Sequence, residues 1–188
     1  MDLSQLYEYK DIFLVIESCR VNGQFINENS TDFKIKEAYN FIYQHKQDVT
    51  DFYSIIGYKV VADVGFFYFI LDGYETIPKT YIKKYIDYID IYRFLKLLNS
   101  SISSSNGIAF SASDMESRLN VDIELQTMVN KMVFLKKRST NREAIDSIIA
   151  RLKSDGFVES IGNKESQFLI LRSFKFIEDI IEEVEYEL

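Results

Sequence analysis

The side chains that most often carry catalysis are scarce in this 188-residue chain, which has one histidine and one cysteine. His45 lies in a polar stretch without an identifiable nucleophile or third partner, so we interpret it as a surface or helix-end residue. Cys19 cannot form an intramolecular disulfide, and a single Cys with a single His cannot build a structural zinc site. One cysteine is typical of a reducing, cytoplasmic setting.

Two carboxylates at helical spacing, Asp87 and Asp90, could in principle share a metal ion. They alternate with Lys83, Lys84 and Arg93, which favours a solvated charged face. No phosphate-binding loop, dinucleotide-binding glycine pattern or metalloprotease motif occurs in the sequence. We therefore expect no enzymatic activity, no metal and no cofactor, and an enzyme with an unfamiliar site is a minor alternative.

A cluster of five cations within twelve residues is the clearest candidate for ligand binding. The cations are Lys131, Lys136, Lys137, Arg138 and Arg142. They lie just before and at the start of a predicted helix, where they could bind DNA phosphates, although a solvated turn is an equal alternative. The polar side of that helix also carries Asp146, Arg151 and Lys153, and Asp146 would repel phosphate. Any contact with DNA is therefore expected to be weak and non-specific.

Four consecutive aromatic residues, Phe66, Phe67, Tyr68 and Phe69, suggest either base stacking or packing. No cations alternate with them, which favours packing. Side chains alternate across a strand, so both faces of this segment are aromatic and both need cover. Its own domain can cover one face, and the other predicts a second domain or subunit. We therefore predict that these residues lie in a homodimer interface.

Composition and charge limit the class of protein. Hydrophobic residues make up 47% of the chain, which is typical of a globular protein. Residues 1–78 carry six cations and twelve anions, residues 79–172 fifteen and eleven, and residues 173–188 one and six. The acidic total argues against a general nucleic-acid coat protein, while the basic middle permits a local phosphate contact. We expect no export signal, transmembrane helix or membrane partner, because the N-terminus lacks a basic region and its apolar run is short.

The first half of the chain has the element order of a winged helix. Hydrophobic periodicity predicts three helices, over residues 3–19 with a stop at Asn22-Gly23, 33–43 and 49–56. Two β-rich runs, 58–62 and 66–71, flank a turn with Gly65 and predict a hairpin. Pro78, the only proline, lies in the predicted boundary between an N-terminal domain, 1–77, and a C-terminal domain, 78–188.

The second half repeats this order behind a long helix, 79–98, and a polar loop, 99–107, that we expect to be solvated. Capping-box spacings at Ser113-x-x-Glu116 and Thr140-x-x-Glu143 predict two helix starts, with the first helical pattern continuing to Val133. Further elements are a strand at 108–110, a hairpin of 157–161 and 167–171, and a final helix, 173–187. The predicted fold class is α+β, mainly α: tandem winged helices with a C-terminal helix.

Residues 23–71 carry a resemblance to a known family. Three segments resemble the N-terminal part of MksE/MukE-type subunits of bacterial condensins. They are Gly23-Gln-Phe-Ile to Tyr39-Asn-Phe-Ile, Asp51-Phe-Tyr-Ser-Ile-Ile-Gly-Tyr-Lys-Val-Val and Gly65-Phe-Phe-Tyr-Phe-Ile. The second half is similar mainly in architecture. The resemblance implies a kite-type protein: a tandem winged-helix homodimer without catalytic residues that binds a kleisin, which bridges the heads of an SMC-like ATPase.

Such a subunit would serve chromosome segregation, DNA condensation or plasmid defence, in the cytoplasm at the nucleoid. Tyr74, Ile77, Tyr81 and Tyr85, around the domain boundary, are the predicted kleisin-binding residues, because Tyr supplies contact area with a polar handle. The alternative is that they only hold the two domains together. A free-standing winged-helix DNA-binding regulator is the alternative function.

Overall fold

The computed structural model describes residues 7–73, 79–105, 107–136, 138–162 and 166–186, without the side chains of 79–85 and 183–186. The chain divides into two compact units, Met1–Thr76 and Ile77–Leu188. The described residues are mainly helical, with two small antiparallel sheets. The predicted class, α+β and mainly α, is confirmed.

The described part of the N-terminal unit alternates helices with short strands. Its helices are α1 (Lys10–Asn22), α2 (Phe33–Gln44) and α3 (Lys46–Ile55), and its strands are β1 (Ile26–Asn27), β2 (Tyr58–Asp63) and β3 (Phe66–Leu71). The sheet order is β1-β3-β2, with β3 pairing antiparallel to both neighbours. The predicted stop of α1 is confirmed, since Gly23 adopts a left-handed φ of 62°. Strand β1 was not predicted, because two residues carry no periodic signal.

The core of this unit forms where α1 and α2 pack on the inward face of the hairpin. Side chains at helical spacing on α1 and α2 meet alternate side chains of β2 and β3 there. Its buried members include Ile16, Cys19, Ile26, Ala38, Phe41, Ile42, Val49, Tyr53, Val60 and Phe67. This burial leaves the opposite face of α1 turned to solvent.

The C-terminal unit repeats the sheet order of the first. Its helices are α4 (Lys79–Leu98), α5 (Ala112–Val121), α6 (Ile123–Lys131), α7 (Asn141–Ser154) and α8 (Lys175–Tyr186), and its strands are β4 (Ala109–Ser111), β5 (Val158–Ser160) and β6 (Gln167–Ile170). The order β4-β6-β5 corresponds to β1-β3-β2. Short 3-10 turns at Val133–Leu135 and Arg172–Phe174 precede α7 and α8.

One of the two predicted capping boxes is wrong and the other is confirmed. Strand β4 leads directly into α5 at Ala112, whose N–H donates to the Ser166 carbonyl at 3.0 Å. Ser113 therefore lies inside the helix, and the N-cap Ser111 forms no side-chain capping bond. At α7, by contrast, Thr140 and Glu143 form the reciprocal pair that the spacing predicts.

The helical pattern predicted to run on to Val133 is broken at Asp122. The Asp122 carboxylate accepts the N–H groups of Glu124 and Leu125, at 2.9 and 3.2 Å, and so starts a second helix, α6. A carboxylate in this position competes with the helical hydrogen bonds of its own backbone. The apolar spacing continues across the break, which is why periodicity alone did not reveal it.

The loop at residues 99–107 is not the solvated connection that its composition predicts. Ile102 and Ser104 are buried, with 2% and 6% of their surface exposed. The backbone N–H and the hydroxyl of Ser104 donate to the Glu178 carboxylate on α8. Arg172 donates to the carbonyls of Ser104 and Ser105, at 3.2 and 2.8 Å. Polar groups that look free in the sequence are therefore satisfied by partners about seventy residues away.

Candidate partner-binding surfaces

The predicted basic cluster lies between α6 and the first turn of α7. Lys131, Lys136, Arg138 and Arg142 are all exposed, and Lys137 lies outside the described residues. Lys131 ends α6, Lys136 follows the 3-10 turn, and Arg138 precedes the capping box of α7. The structure therefore brings four of the five cations to one connection of the C-terminal unit.

Arg142 is already neutralised by two carboxylates of its own unit. Its guanidinium bonds Asp146, one turn along α7, at 3.1 Å, and reaches Glu116 on α5 at 3.4 Å. These two acceptors raise the pKa of Arg142, the bond to Asp146 contributing most. A phosphate would have to compete with both carboxylates for this side chain.

The N-terminus of α7 is likewise occupied by an anion of the chain. The Glu143 carboxylate accepts the backbone N–H of Ser139 at 2.8 Å, its hydroxyl at 2.8 Å and the N–H of Thr140 at 3.3 Å. These hydrogen bonds, above all that from the Ser139 backbone, lower the pKa of Glu143. The position where a phosphate would meet the helix dipole is therefore filled by a carboxylate.

Arg151, predicted on the polar side of α7, turns instead toward α4. Its Nη2 lies 2.9 Å from an Asp87 carboxylate oxygen, and Asp87 is only 6% exposed. The guanidinium carbon lies 5.2 Å from the ring centre of Phe134 and 5.7 Å from that of Tyr88. The Tyr88 hydroxyl donates to Asp155, just past the end of α7. Arg151 thus joins two helices and is not presented to a ligand.

The prediction of a solvated face around Asp87 and Asp90 is therefore wrong for Asp87. Asp90 is half-buried, and this burial raises its pKa, while the charge of Arg93 acts in the opposite direction. Ile86 is 55% exposed, whereas Tyr88 and Ile91 are buried. The buried residues of α4 among the described side chains are Asp87, Tyr88, Ile91, Phe94, Leu95 and Leu98. The carboxylate of Asp87 therefore lies within the buried stripe of the helix.

The four aromatic residues of the hairpin pack on rings of their own unit. On the inward face, Phe67 meets Tyr39 at 5.1 Å between ring centres and Phe69 meets Tyr53 at 4.6 Å. On the outward face, Phe25 lies 5.5 Å from both Phe66 and Tyr68. Phe66 is fully buried and Phe67 is 3% exposed. Phe25 was missed by the sequence argument and supplies cover to the face for which a second subunit was predicted.

The predicted kleisin-binding residues fall largely beyond what the structure describes. Tyr74 and Ile77 lie outside the described residues. Tyr81 and Tyr85 belong to the first turns of α4, where the backbone alone is described. Their assignment remains a prediction from the sequence.

Side chains with catalytic potential are held in packing roles. The thiol of Cys19 is buried, and burial, followed by the charge of Asp32, raises its pKa to about 11. The His45 ring lies at the junction of α2 and α3, 4.8 Å from the Phe41 ring centre. Within the described residues, no group of three or more His, Cys, Asp or Glu side chains could hold a metal ion. None of the described helices is long and apolar enough to span a bilayer.

A comparison with protein families matches nearly the whole chain. A family model described as condensin complex protein MksE matches residues 13–181. This range includes parts of both units and all the elements from β1 to β6. No curated protein matches the chain.

Proposed function

The chain belongs to the MksE family of condensin complex proteins, and we propose that it is a non-catalytic, kite-type accessory subunit that dimerises and binds the complex's kleisin. Through the kleisin it would act on an SMC-like ATPase, in chromosome segregation or plasmid defence. The family match over residues 13–181 carries this proposal. A cytoplasmic, nucleoid-associated location follows from the proposed role.

The repeated topology supports a tandem winged-helix architecture. Each unit has helices, a first strand, further helices and a hairpin whose return strand lies in the middle of the sheet. A winged helix has this strand order, because its first strand pairs with the second strand of the hairpin. Here β1 pairs with β3, and β4 pairs with β6. Loops and faces of such a scaffold, rather than its core, determine what it binds.

The geometry of α7 favours the accessory role over a free-standing DNA-binding regulator. In a regulator of this fold, α7 would be the helix that enters the major groove. Its first turn carries Arg142 paired with Asp146 and Glu116, and its N-terminus is capped by Glu143. Base reading from this helix would have to displace those bonds. We therefore propose at most a weak, non-specific contact with DNA through the basic cluster.

Kleisin binding is proposed for the segment that joins the two units, at Tyr74, Ile77, Tyr81 and Tyr85. Tyrosines can present apolar area with a hydroxyl to an extended or helical segment of a partner. Replacing Tyr74 and Tyr81 by Ala should abolish pull-down of the kleisin with a nearly unchanged melting temperature. Retained pull-down would exclude this segment, and a lowered melting temperature with normal binding would assign these residues to holding the units together.

The proposed function as a whole is tested by co-purification from native cells. The tagged chain should retrieve a kleisin-like protein and a long coiled-coil ATPase encoded beside its own gene, identified by mass spectrometry. Retrieval of a defined DNA site without either protein would favour the regulator and contradict the proposal.

A further inference from the structure

Helix α1 is apolar on two opposite faces, and the core uses only one of them. Ile16 and Cys19 face the interior and are at most 2% exposed. On the other side, Leu14 and Val21 are 59% and 67% exposed, seven residues apart. Tyr7, which precedes α1 and is separated from it by a turn at Tyr9, is also exposed, at 79%. Leu14 and Val21 therefore share one face of α1, at a spacing that is typical of a seam against a second helix.

We propose that this stripe joins two copies of the chain, with α1 packed antiparallel against its counterpart about a two-fold axis at Leu14. This proposal rests on the homodimer in the proposed function and names its contact surface. In this arrangement Leu14 meets Leu14 of the second copy, and Val21 lies beside the N-terminal end of the other α1, near the preceding segment that holds Tyr7. Antiparallel packing also opposes the two helix dipoles favourably.

Charged and polar side chains beside the stripe argue for a second copy as the occupant. At 100° per residue, Lys10 and Glu17 lie on one side of the stripe, and Asp11 and Ser18 lie on the other. With a rise of 1.5 Å per residue, two-fold pairing about Leu14 places Lys10 within about 1.5 Å of the height of Glu17 in the other helix. Asp11 likewise comes within about 1.5 Å of the height of Ser18 in the other copy, whose hydroxyl can donate to it. Both sides of the stripe are thus self-complementary.

The carboxylate that would receive Lys10 is held in place within its own copy. Arg20 donates to both oxygens of Glu17, and the Tyr53 hydroxyl donates to one of them at 3.4 Å. The bond from Arg20 is the main cause of the lowered pKa of Glu17. Its side chain remains 43% exposed and can accept a second cation. Lys10, at the start of α1, is exposed.

Cysteine cross-linking of the purified full chain locates the contact. Leu14→Cys should form an intermolecular disulfide under mild oxidation, because the residue meets itself at the two-fold axis. The parent protein, whose Cys19 is buried, and Asn40→Cys, at an exposed position on α2, should remain uncross-linked. Efficient cross-linking through Val21→Cys would instead indicate parallel helices and overturn the proposed arrangement.

Charge variants test which side chains face each other. The parent should have twice the 22.1 kDa mass of one chain by light scattering. Lys10→Glu should raise the dimer dissociation constant several-fold by opposing Glu17, and adding Glu17→Gln should restore it. If Asp11→Asn, and not Glu17→Gln, restored the dissociation constant of the Lys10→Glu variant, the two helices would be parallel.

Leu14→Asp separates this proposal from the proposed function. It should raise the dissociation constant at least about tenfold with an unchanged circular dichroism spectrum, because Leu14 is exposed in the single chain. The α1 contact is wrong if the Leu14→Asp variant still dimerises and the Leu14→Cys variant forms no intermolecular disulfide. That result would leave the proposed accessory role intact. A parent protein that stays monomeric at micromolar concentration would refute dimerisation itself, while kleisin co-purification would still test the role.

Discussion

For Asp87 and Arg151, the environment in the structure differs most from the one that the sequence predicts. Both residues look like members of solvated faces when each helix is considered alone. In the fold, Asp87 is almost completely buried and lies 2.9 Å from Arg151, sixty-four residues away. A buried carboxylate requires a partner, and a periodicity argument confined to one helix cannot supply it.

Removing one member of this pair should destabilise the C-terminal unit strongly. Asp87→Ala leaves a largely buried guanidinium without its counter-charge, which costs about 3 kcal/mol or more of the free energy of unfolding. The measurement is equilibrium denaturation in urea. The matched control is Asp146→Ala, which removes a partner of the exposed Arg142 and should change stability little. Equal losses in the two variants would contradict a buried structural role for Asp87.

At the scale of elements, capping motifs in the sequence predicted a helix start correctly where no strand pairing fixes the backbone just before the helix. Thr140 and Glu143 form the capping box of α7, and the two residues just before them, Arg138 and Ser139, belong to no strand. The same spacing at Ser113 fails, because pairing of β4 with β6 fixes the chain up to Ser111 and lets the helix begin at once. The loop at residues 99–107 was mispredicted for a related reason, since Glu178 and Arg172 satisfy it from a distance.

A pair of variants tests this contrast between the two capping boxes. Thr140→Ala removes the oxygen that accepts the Glu143 N–H at 3.1 Å and should cost about 1 kcal/mol of unfolding free energy. Ser113→Ala should be close to neutral, because Ser113 caps no helix. Denaturant titrations of both variants provide the comparison. A loss at Ser113 as large as that at Thr140 would contradict the observed start of α5.

For the whole molecule, sequence patterning predicted most elements of both units but missed β1 and the break between α5 and α6, and the family resemblance is confirmed. What charge counting could not predict is how many cations are available to a partner. Of the five clustered cations, Arg142 is paired with two carboxylates, and Glu143 occupies the nearby helix terminus. The basic surface is therefore weaker than its composition suggests, because the balancing carboxylates come from α5 and α7 themselves.

This reduced basic surface limits how strongly DNA can bind. If Lys131, Lys136 and Arg138 neutralise about three phosphates, the slope of log K against log salt should be on the order of −3. Fluorescence anisotropy with labelled duplexes of unrelated sequence should give similar affinities. Replacing Lys131, Lys136, Lys137 and Arg138 by Glu should abolish binding and leave the fold intact, because the paired Arg142 is kept. Unchanged DNA retention, or a strong preference for one sequence, would contradict the assignment.

The account as a whole depends on the chain acting by holding a partner. The one cysteine is buried, and the ring of the one histidine packs against Phe41. A tandem scaffold with an acidic N-terminal half and an exposed apolar stripe is suited to assembly with other protein chains. Membership of a condensin complex family gives this assembly its context.

The most direct test is the mass of the complex that the purified chain forms with the kleisin-like protein encoded beside it. Size-exclusion chromatography with light scattering should show one stable species, whose mass equals two copies of this chain plus the kleisin. Dilution into 0.5 M salt should not dissociate the complex if apolar contacts dominate its interface. Two separate peaks with the masses of the unbound proteins, at concentrations well above micromolar, would contradict the central claim.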